Sequence, residues 1–386
     1  MLDVKILVLG CGNIGSVAAR DLAESLPSTE IVLGDMNESR AKEASSKVDQ
    51  ENVSCMRVDA SNHRELVSTL KKFDMAIGAL PGEIGYQVCK ASCTAGTDMV
   101  DVSYMPEDVM TLHKDASKAG ISILPDCGMS PGLGSVLVGY AASKLDKVEN
   151  VHMLNGGLPE KSIPPLGYVI TWSVMDLIDM YSRKVNIVKD GKIVQVPAMS
   201  GLQQINFPGV GKLEAFYTDG LRTMLYTFKD AKNMWEKSLR YPGHVEKIGL
   251  LRDLGFFEEK ELKIENHGVS PREVTAKLLE SKLKRKDIRD IVVMLIEVNG
   301  TENSGRVQYT YHVLDHFDRK RQVTAMARTT AYTTSVVAQL LAQKAIKEKG
   351  VIPPEKLGMN RTLYNKFMTL MKKRNVAVKE SRKAMK

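Results

Sequence analysis

The chain opens on a regular alternation of short apolar runs and amphipathic stretches. Residues 4–9 form an apolar run that stops at Gly10-Cys11-Gly12, and Ile14, Val17, Ala18 and Leu22 then recur at helical spacing. Further strands are predicted at 31–33, 54–58, 75–79, 99–102 and 121–124, with helices at 39–47, 63–72, 85–95 and 106–119. This β-α rhythm predicts an α/β fold with a doubly wound parallel sheet covered on both faces.

After Pro131-Gly132 the rhythm changes. A helix is predicted over 132–143, a strand over 151–154 and a helix over 172–181. Runs at 185–188 and 192–196 flank Lys189-Asp190-Gly191, a hairpin signal. Strands are predicted at 291–298, 307–314 and 322–327, so 133–327 reads as an α+β domain on an antiparallel sheet. Helices at 333–349 and 362–374 follow.

Composition adds boundaries. With 43% hydrophobic and 26% charged residues, the chain is that of an ordinary globular protein and not a disordered one. No run reaches the ~18–20 apolar residues of a membrane span, and Met1–Lys5 has no basic leader, so no signal peptide is expected. The net charge is +8. Residues 372–386 hold Lys372, Lys373, Arg374, Lys379, Arg382, Lys383 and Lys386 against Glu380 alone, and are expected to be a frayed, solvated end. Five cysteines, an odd number without metal-ligand spacing, point to a reducing cytoplasm. Cys89 and Cys93, one helical turn apart with no histidine nearby, read as buried thiols, and no metal site is expected.

The first glycine cluster carries the chemistry. Gly10, Gly12 and Gly15 fit the G-x-G-x-x-G pattern between a strand and a helix, and Asp35 ends the next strand, twenty residues past Gly15. In this pattern one glycine makes the turn, one admits a pyrophosphate and one lets the helix approach the sheet. Gly10, Gly12, Asn13, Ile14 and Gly15 are thus candidate dinucleotide-binding residues. A carboxylate at Asp35 accepts the ribose hydroxyls and repels a 2′-phosphate, which favours NAD over NADP, although Arg40 nearby offsets part of that repulsion. Asp59 either contacts the adenine or caps a helix. Ala79-Leu80-Pro81 and Ser103 lie at the carboxyl edge of the sheet, where the nicotinamide is expected.

Candidate substrate groups follow. Tyr104 and Asp126 end strands on that same edge. Further on, Arg240 and His244 share a turn with Tyr241-Pro242-Gly243; a guanidinium can clamp a carboxylate, and an imidazole can move protons. A lone histidine is more often structural, so both readings of His244 stand. Gly157 and Tyr168 sit in loops rich in special backbone.

These strings resemble the saccharopine dehydrogenase and lysine 6-dehydrogenase family, most closely its NAD-dependent lysine 6-dehydrogenases. The resemblance runs from Gly10-Cys11-Gly12-Asn13-Ile14-Gly15 to Gly350-Val351-Ile352-Pro353-Pro354-Glu355. It is carried by Val100–Pro106, Asp126–Gly132, Gly156-Gly157-Leu158-Pro159, Arg240–Lys247 and the 324–330 string Thr-Ala-Met-Ala-Arg-Thr-Thr. It implies a Rossmann domain of residues 1–132 and 328–386, with the 133–327 domain inserted for substrate binding and oligomerisation. Saccharopine-forming members typically carry Asp before the Pro-Gly of Asp126-Cys127-Gly128-Met129-Ser130-Pro131-Gly132, where this chain has Ser130.

The expected reaction is oxidative ε-deamination of L-lysine with NAD, giving a semialdehyde that cyclises to Δ1-piperideine-6-carboxylate, plus ammonia. The amine must lose its proton first, and its free pKa is ~10.4. His244, Asp126 and Tyr104 are the candidate acceptors, and Arg240, with Arg222 as rival, is the candidate clamp for the α-carboxylate. The alternatives are saccharopine or carboxynorspermidine dehydrogenase activity on a secondary amine, or a non-catalytic NAD sensor. The expected partners are a small amino-acid substrate and further copies of the chain in a homodimer or larger homo-oligomer, with no nucleic acid and no membrane.

Overall fold

The computed structural model describes residues 4–265, 267–285 and 288–385. The chain forms two compact units, one of residues up to Ser143 together with Ala327–Val376, the other of Lys144–Met326 and the residues from Ala377 on.

The first unit begins with β1 (Lys5–Leu9), β2 (Glu30–Asp35), β3 (Val53–Arg57), β4 (Met75–Gly78), β5 (Asp98–Asp101) and β6 (Ser122–Leu124). The second contains β7 (Lys147–Pro159), β8 (Val185–Lys189), β9 (Lys192–Val196), β10 (Gln203–Phe207), β11 (Gly211–Tyr217) and β12 (Asn233–Arg240). It continues with β13 (Leu262–Ile264), β14 (His267–Val269), β15 (Asp290–Glu302) and β16 (Gly305–His316). The chain then adds β17 (Gly350–Val351) to the first unit and β18 (Lys379–Ala384) to the second.

The first sheet has the order β17-β6-β5-β4-β1-β2-β3, and every pairing is parallel. Strands such as Lys-Ile-Leu-Val-Leu of β1 are buried beyond their first residue because helices cover both faces. Helix Asn13–Ser25 packs through Gly15, Ala18, Ala19 and Leu22; of the predicted stripe Ala18 and Leu22 are buried, while Ile14 and Val17 are only partly so. Asn37 and Asn62 cap the next two helices by accepting the amides of Arg40 and Glu65.

The main sheet of the second unit runs β10-β11-β12-β7-β15-β16-β18, with β8 and β9 branching from β12. It is mixed and not purely antiparallel, because β12 lies parallel to β7. The hairpin at Lys189-Asp190-Gly191 is present. The strand expected at 322–327 is replaced by the start of helix Ala325–Ala342, whose first amides bond to the carboxylate of Asp290. The basic end is not frayed up to residue 384. Its residues 379–384 pair antiparallel with β16, and Arg382 bonds Glu302 at 2.6 Å while Lys144 bonds Glu380. Residues from 377 on therefore belong to the second unit, whereas the sequence placed all of 328–386 in the first.

Among the described residues no helix is long and apolar enough to cross a membrane. All five cysteines are free thiols, Cys89 buried and Cys93 partly so.

Candidate active site

In the first unit the glycine loop has the backbone its pattern requires. Gly10 has φ +95°, and a Cβ there would stand 2.3 Å from the Ala79 carbonyl oxygen. A Cβ on Gly15 would stand 1.9 Å from the Gly10 oxygen, so this helix start tolerates no side chain. Gly12 is different: a Cβ there would meet nothing within 4 Å. The space over Gly12, next to the helix that starts at Asn13-Ile14, is the cradle a pyrophosphate needs.

Asp35 ends β2 and is buried. Its carboxylate accepts the amides of Cys11 at 3.0 Å and Asn37 at 2.9 Å, tying the glycine loop to the strand. Burial and this carboxylate push the Cys11 thiol up to about 12, so it stays protonated. Asp59 does not cap the following helix, a role taken by Asn62; its Oδ1 accepts the amide and hydroxyl of Ser61 in the turn before that cap.

At the carboxyl edge, Ala79 and Leu80 lead through Pro81 into helix Gly82–Ala95, and Ala79 N bonds Leu9 O at 2.9 Å. Ser103 donates its hydroxyl to Asp101 at 2.6 Å and is buried, while Tyr104 beside it is half-buried. Asp126 is buried and holds φ +55°, a left-handed conformation unusual for aspartate and common at functional sites. Its charge and that of Asp101 add to the burial that pushes the Cys127 thiol up.

The second unit brings three of its predicted residues together. Arg240, the last residue of β12, lies with its guanidinium 4.4 Å from the centre of the Tyr168 ring, a cation–π contact. His244 begins helix His244–Asp253 and meets the same ring edge-on at 5.7 Å. Its Nδ1 is 2.8 Å from the Leu166 carbonyl oxygen, which can only accept, so Nδ1 carries the proton. Its Nε2 therefore accepts the Tyr181 hydroxyl at 2.8 Å. Burial, reinforced by the Arg240 charge, pushes the pKa of His244 down to about 3. With both nitrogens hydrogen-bonded and burial favouring the neutral ring, His244 suits an orienting role better than that of the proton acceptor.

Arg240 is 3% exposed and buried without a carboxylate partner. Nη1 donates to Leu239 O at 2.8 Å, Nη2 lies 4.0 Å from the Met180 sulfur, the guanidinium also hydrogen-bonds the Tyr181 hydroxyl, and Nε has no hydrogen-bond partner. The rival Arg222 is ion-paired to Asp219 at 3.5 Å. On β7, a Cβ at Gly157 would lie 2.2 Å from the Met326 methyl. Tyr181 and Glu214, which the sequence reading missed, complete the surroundings. Tyr181 lies in a helix whose apolar spacing marks it only as core, and Glu214 carries no local motif.

Among the described residues no group of three or more His, Cys, Asp or Glu is placed to hold a metal ion.

The saccharopine dehydrogenase NADP-binding domain model matches residues 6–124, and the saccharopine dehydrogenase C-terminal domain model matches 128–376. The chain belongs to the saccharopine dehydrogenase family. A saccharopine dehydrogenase (NADP+, L-glutamate-forming) of Pyricularia oryzae is 24% identical over 322 residues, 80% of this chain and 70% of that one. The α-aminoadipic semialdehyde synthase of Rattus norvegicus is 27% identical over 66% of this chain, which spans only 29% of that protein. A carboxyaminopropylagmatine dehydrogenase of Synechocystis is 24% identical over 92% of both chains. Among solved structures, the apo saccharopine dehydrogenase (L-Glu forming) of Saccharomyces cerevisiae shares the fold, with a TM-score of 0.79 at 19% identity over 99% of this chain. The family also supplies a nicotinamide-dinucleotide-binding half, as the glycine loop requires.

Proposed function

We propose that this member of the saccharopine dehydrogenase family is an NAD-dependent dehydrogenase that removes the ε-amino group of L-lysine. The observation that carries the reading is Arg240, a buried guanidinium lacking an acid partner. Burying a lone cation is costly, and a ligand carboxylate offsets that cost. Other arginines of the second unit have acid partners: Arg183 and Arg272 pair with Asp179, and Arg222 pairs with Asp219. Lys237, on the opposite face of β12, is held by the Gly201 carbonyl and Gln203. One guanidinium without an acid partner suits the single carboxylate of lysine better than the three of saccharopine.

Gly10, Gly12 and Gly15, with the amides of Asn13 and Ile14, would hold the pyrophosphate, and Asp35 would accept the adenosine ribose. The dinucleotide, when bound, supplies the acceptor for the hydride leaving the ε-carbon. Arg240 binds the α-carboxylate on its free Nε edge, and the Tyr168 face keeps the guanidinium flat. The reaction also needs a proton acceptor for the ε-ammonium, and Asp126, with Tyr104 as its rival, is the candidate that the first unit offers for that role. The anionic Asp35 disfavours a 2′-phosphate, so NAD is preferred even though the matching family model and several relatives are named for NADP.

A secondary-amine substrate is the second reading, favoured by the end-to-end match to the Synechocystis dehydrogenase. Formation of reduced dinucleotide at alkaline pH, with L-lysine or saccharopine and with NAD or NADP, separates them. Turnover of lysine with NAD supports the first reading; turnover of saccharopine alone overturns it.

A further inference from the structure

Arg240 has a second buried charge directly across the sheet. Glu214 on β11 is its register partner on β12, and opposed residues of an antiparallel pair put their side chains on one face. Glu214 and Arg240 are 6% and 3% exposed, yet they do not form an ion pair. The Glu214 carboxylate is turned onto the backbone instead. Oε1 accepts the Gly243 amide at 2.7 Å and Oε2 the Val245 amide at 3.2 Å, while Gln204 Nε2 reaches Oε1 at 3.4 Å.

Those two amides flank His244 and open its helix, where an acid is favourable. His244 in turn abuts both Tyr168, which lies against the guanidinium, and Tyr181, which donates to its Nε2. The carboxylate best placed to neutralise Arg240 is thus committed to the turn that shapes the surroundings of Arg240.

We propose that Glu214 is a positioning residue for the anion site of Arg240: by holding the Gly243 and Val245 amides it keeps the guanidinium unneutralised and fixes His244 and Tyr168 around it. This rests on the reading of Arg240 as the carboxylate clamp. The ligand it serves is a carboxylate-bearing amine.

The test is Glu214→Gln in the full chain, with L-lysine compared with cadaverine, which lacks the carboxylate, as substrates or competitive inhibitors. Glutamine keeps the shape but offers an acceptor to only one amide. The expected result is a rise of about 3- to 10-fold in KM for lysine, kcat within about twofold, and no change for cadaverine. A structural role alone would move both amines together. Glu214→Asp keeps the charge but falls a methylene short of one amide, and serves if the glutamine variant folds poorly. An unchanged lysine-to-cadaverine ratio in the folded variants overturns the proposal. Arg240→Lys separates the two ideas: no effect on lysine there would instead remove the clamp reading itself.

Discussion

Asp290 and Met326 are joined by a 2.9 Å hydrogen bond from the Met326 amide, and the Ala325 amide bonds the same carboxylate at 2.6 Å. This buried acid starts helix Ala325–Ala342 from 35 residues away. Burial raises its pKa to about 6 in spite of these amide bonds.

A raised carboxylate pKa means that the folded state takes up a proton before the unfolded state does. Between pH 4 and 7 the ionised Asp290 therefore costs stability as pH rises, by about 2 to 3 kcal/mol across the window. Urea unfolding of wild type and Asp290→Asn checks this. The stability of wild type relative to the variant should fall as pH rises through 6 and level off above 7. A difference that grows with pH would mean that the ionised form is the favoured one.

Arg240→Lys keeps the charge but not the planar fork. Losing a charge-assisted hydrogen bond of about 1.5 to 3 kcal/mol should raise KM for lysine about 10- to 100-fold, with kcat changed no more than about threefold. Steady-state kinetics decides it. A large loss of kcat at constant KM would assign Arg240 to the chemical step.

Gly12 and Gly15 should part company. Gly12→Ala adds a methyl to open space, so the thermal midpoint should hold while dinucleotide affinity falls about tenfold or more. Gly15→Ala drives a methyl to 1.9 Å from the Gly10 oxygen and should lower the midpoint first. Paired thermal melts and fluorescence titrations with NADH read both. Unaltered affinity in Gly12→Ala would take the pyrophosphate out of that cradle.

Arg374 forms a buried ion pair with Asp21 at 2.7 Å, their side chains 8% and 7% exposed. Removing one partner strands the other, so Arg374→Met should destabilise the first unit by about 3 to 5 kcal/mol. Adding Asp21→Leu should recover much of that loss. Chemical denaturation of the single and double variants measures the coupling.

The first unit was legible because helices on both faces of a parallel sheet turn its strands into plain apolar runs, and because Gly10 and Gly15 meet steric demands only glycine satisfies. The second unit hid more. Strand β12 reads Asn-Met-Trp-Glu-Lys-Ser-Leu-Arg, and its buried Glu236 and Lys237 look like surface. Lys237 is tolerated there because Gly201, Gln203 and the rings of Tyr217 and Trp235 surround its ammonium, partners that no local window contains. The segment before Ala325 was misread for a related reason, since its helix cap comes from Asp290. Arg240 and His244 were visible as a motif. That one is a cation stacked on Tyr168 without an acid partner and the other a committed neutral ring rests on Tyr168, Leu166 and Tyr181, distant in sequence.

The path of the chain has a consequence for synthesis. It passes between the units after Ser143, after Met326 and after Val376. Strand β16 is complete at His316, but β18, which covers its edge, begins at Lys379. At ordinary elongation rates that edge waits roughly 3 to 13 seconds for its partner while the chain is still on the ribosome. The first unit likewise lacks β17 and the Arg374 partner of Asp21 until those residues are made, so neither unit has all of its strands paired before residues 350–384 have been synthesised.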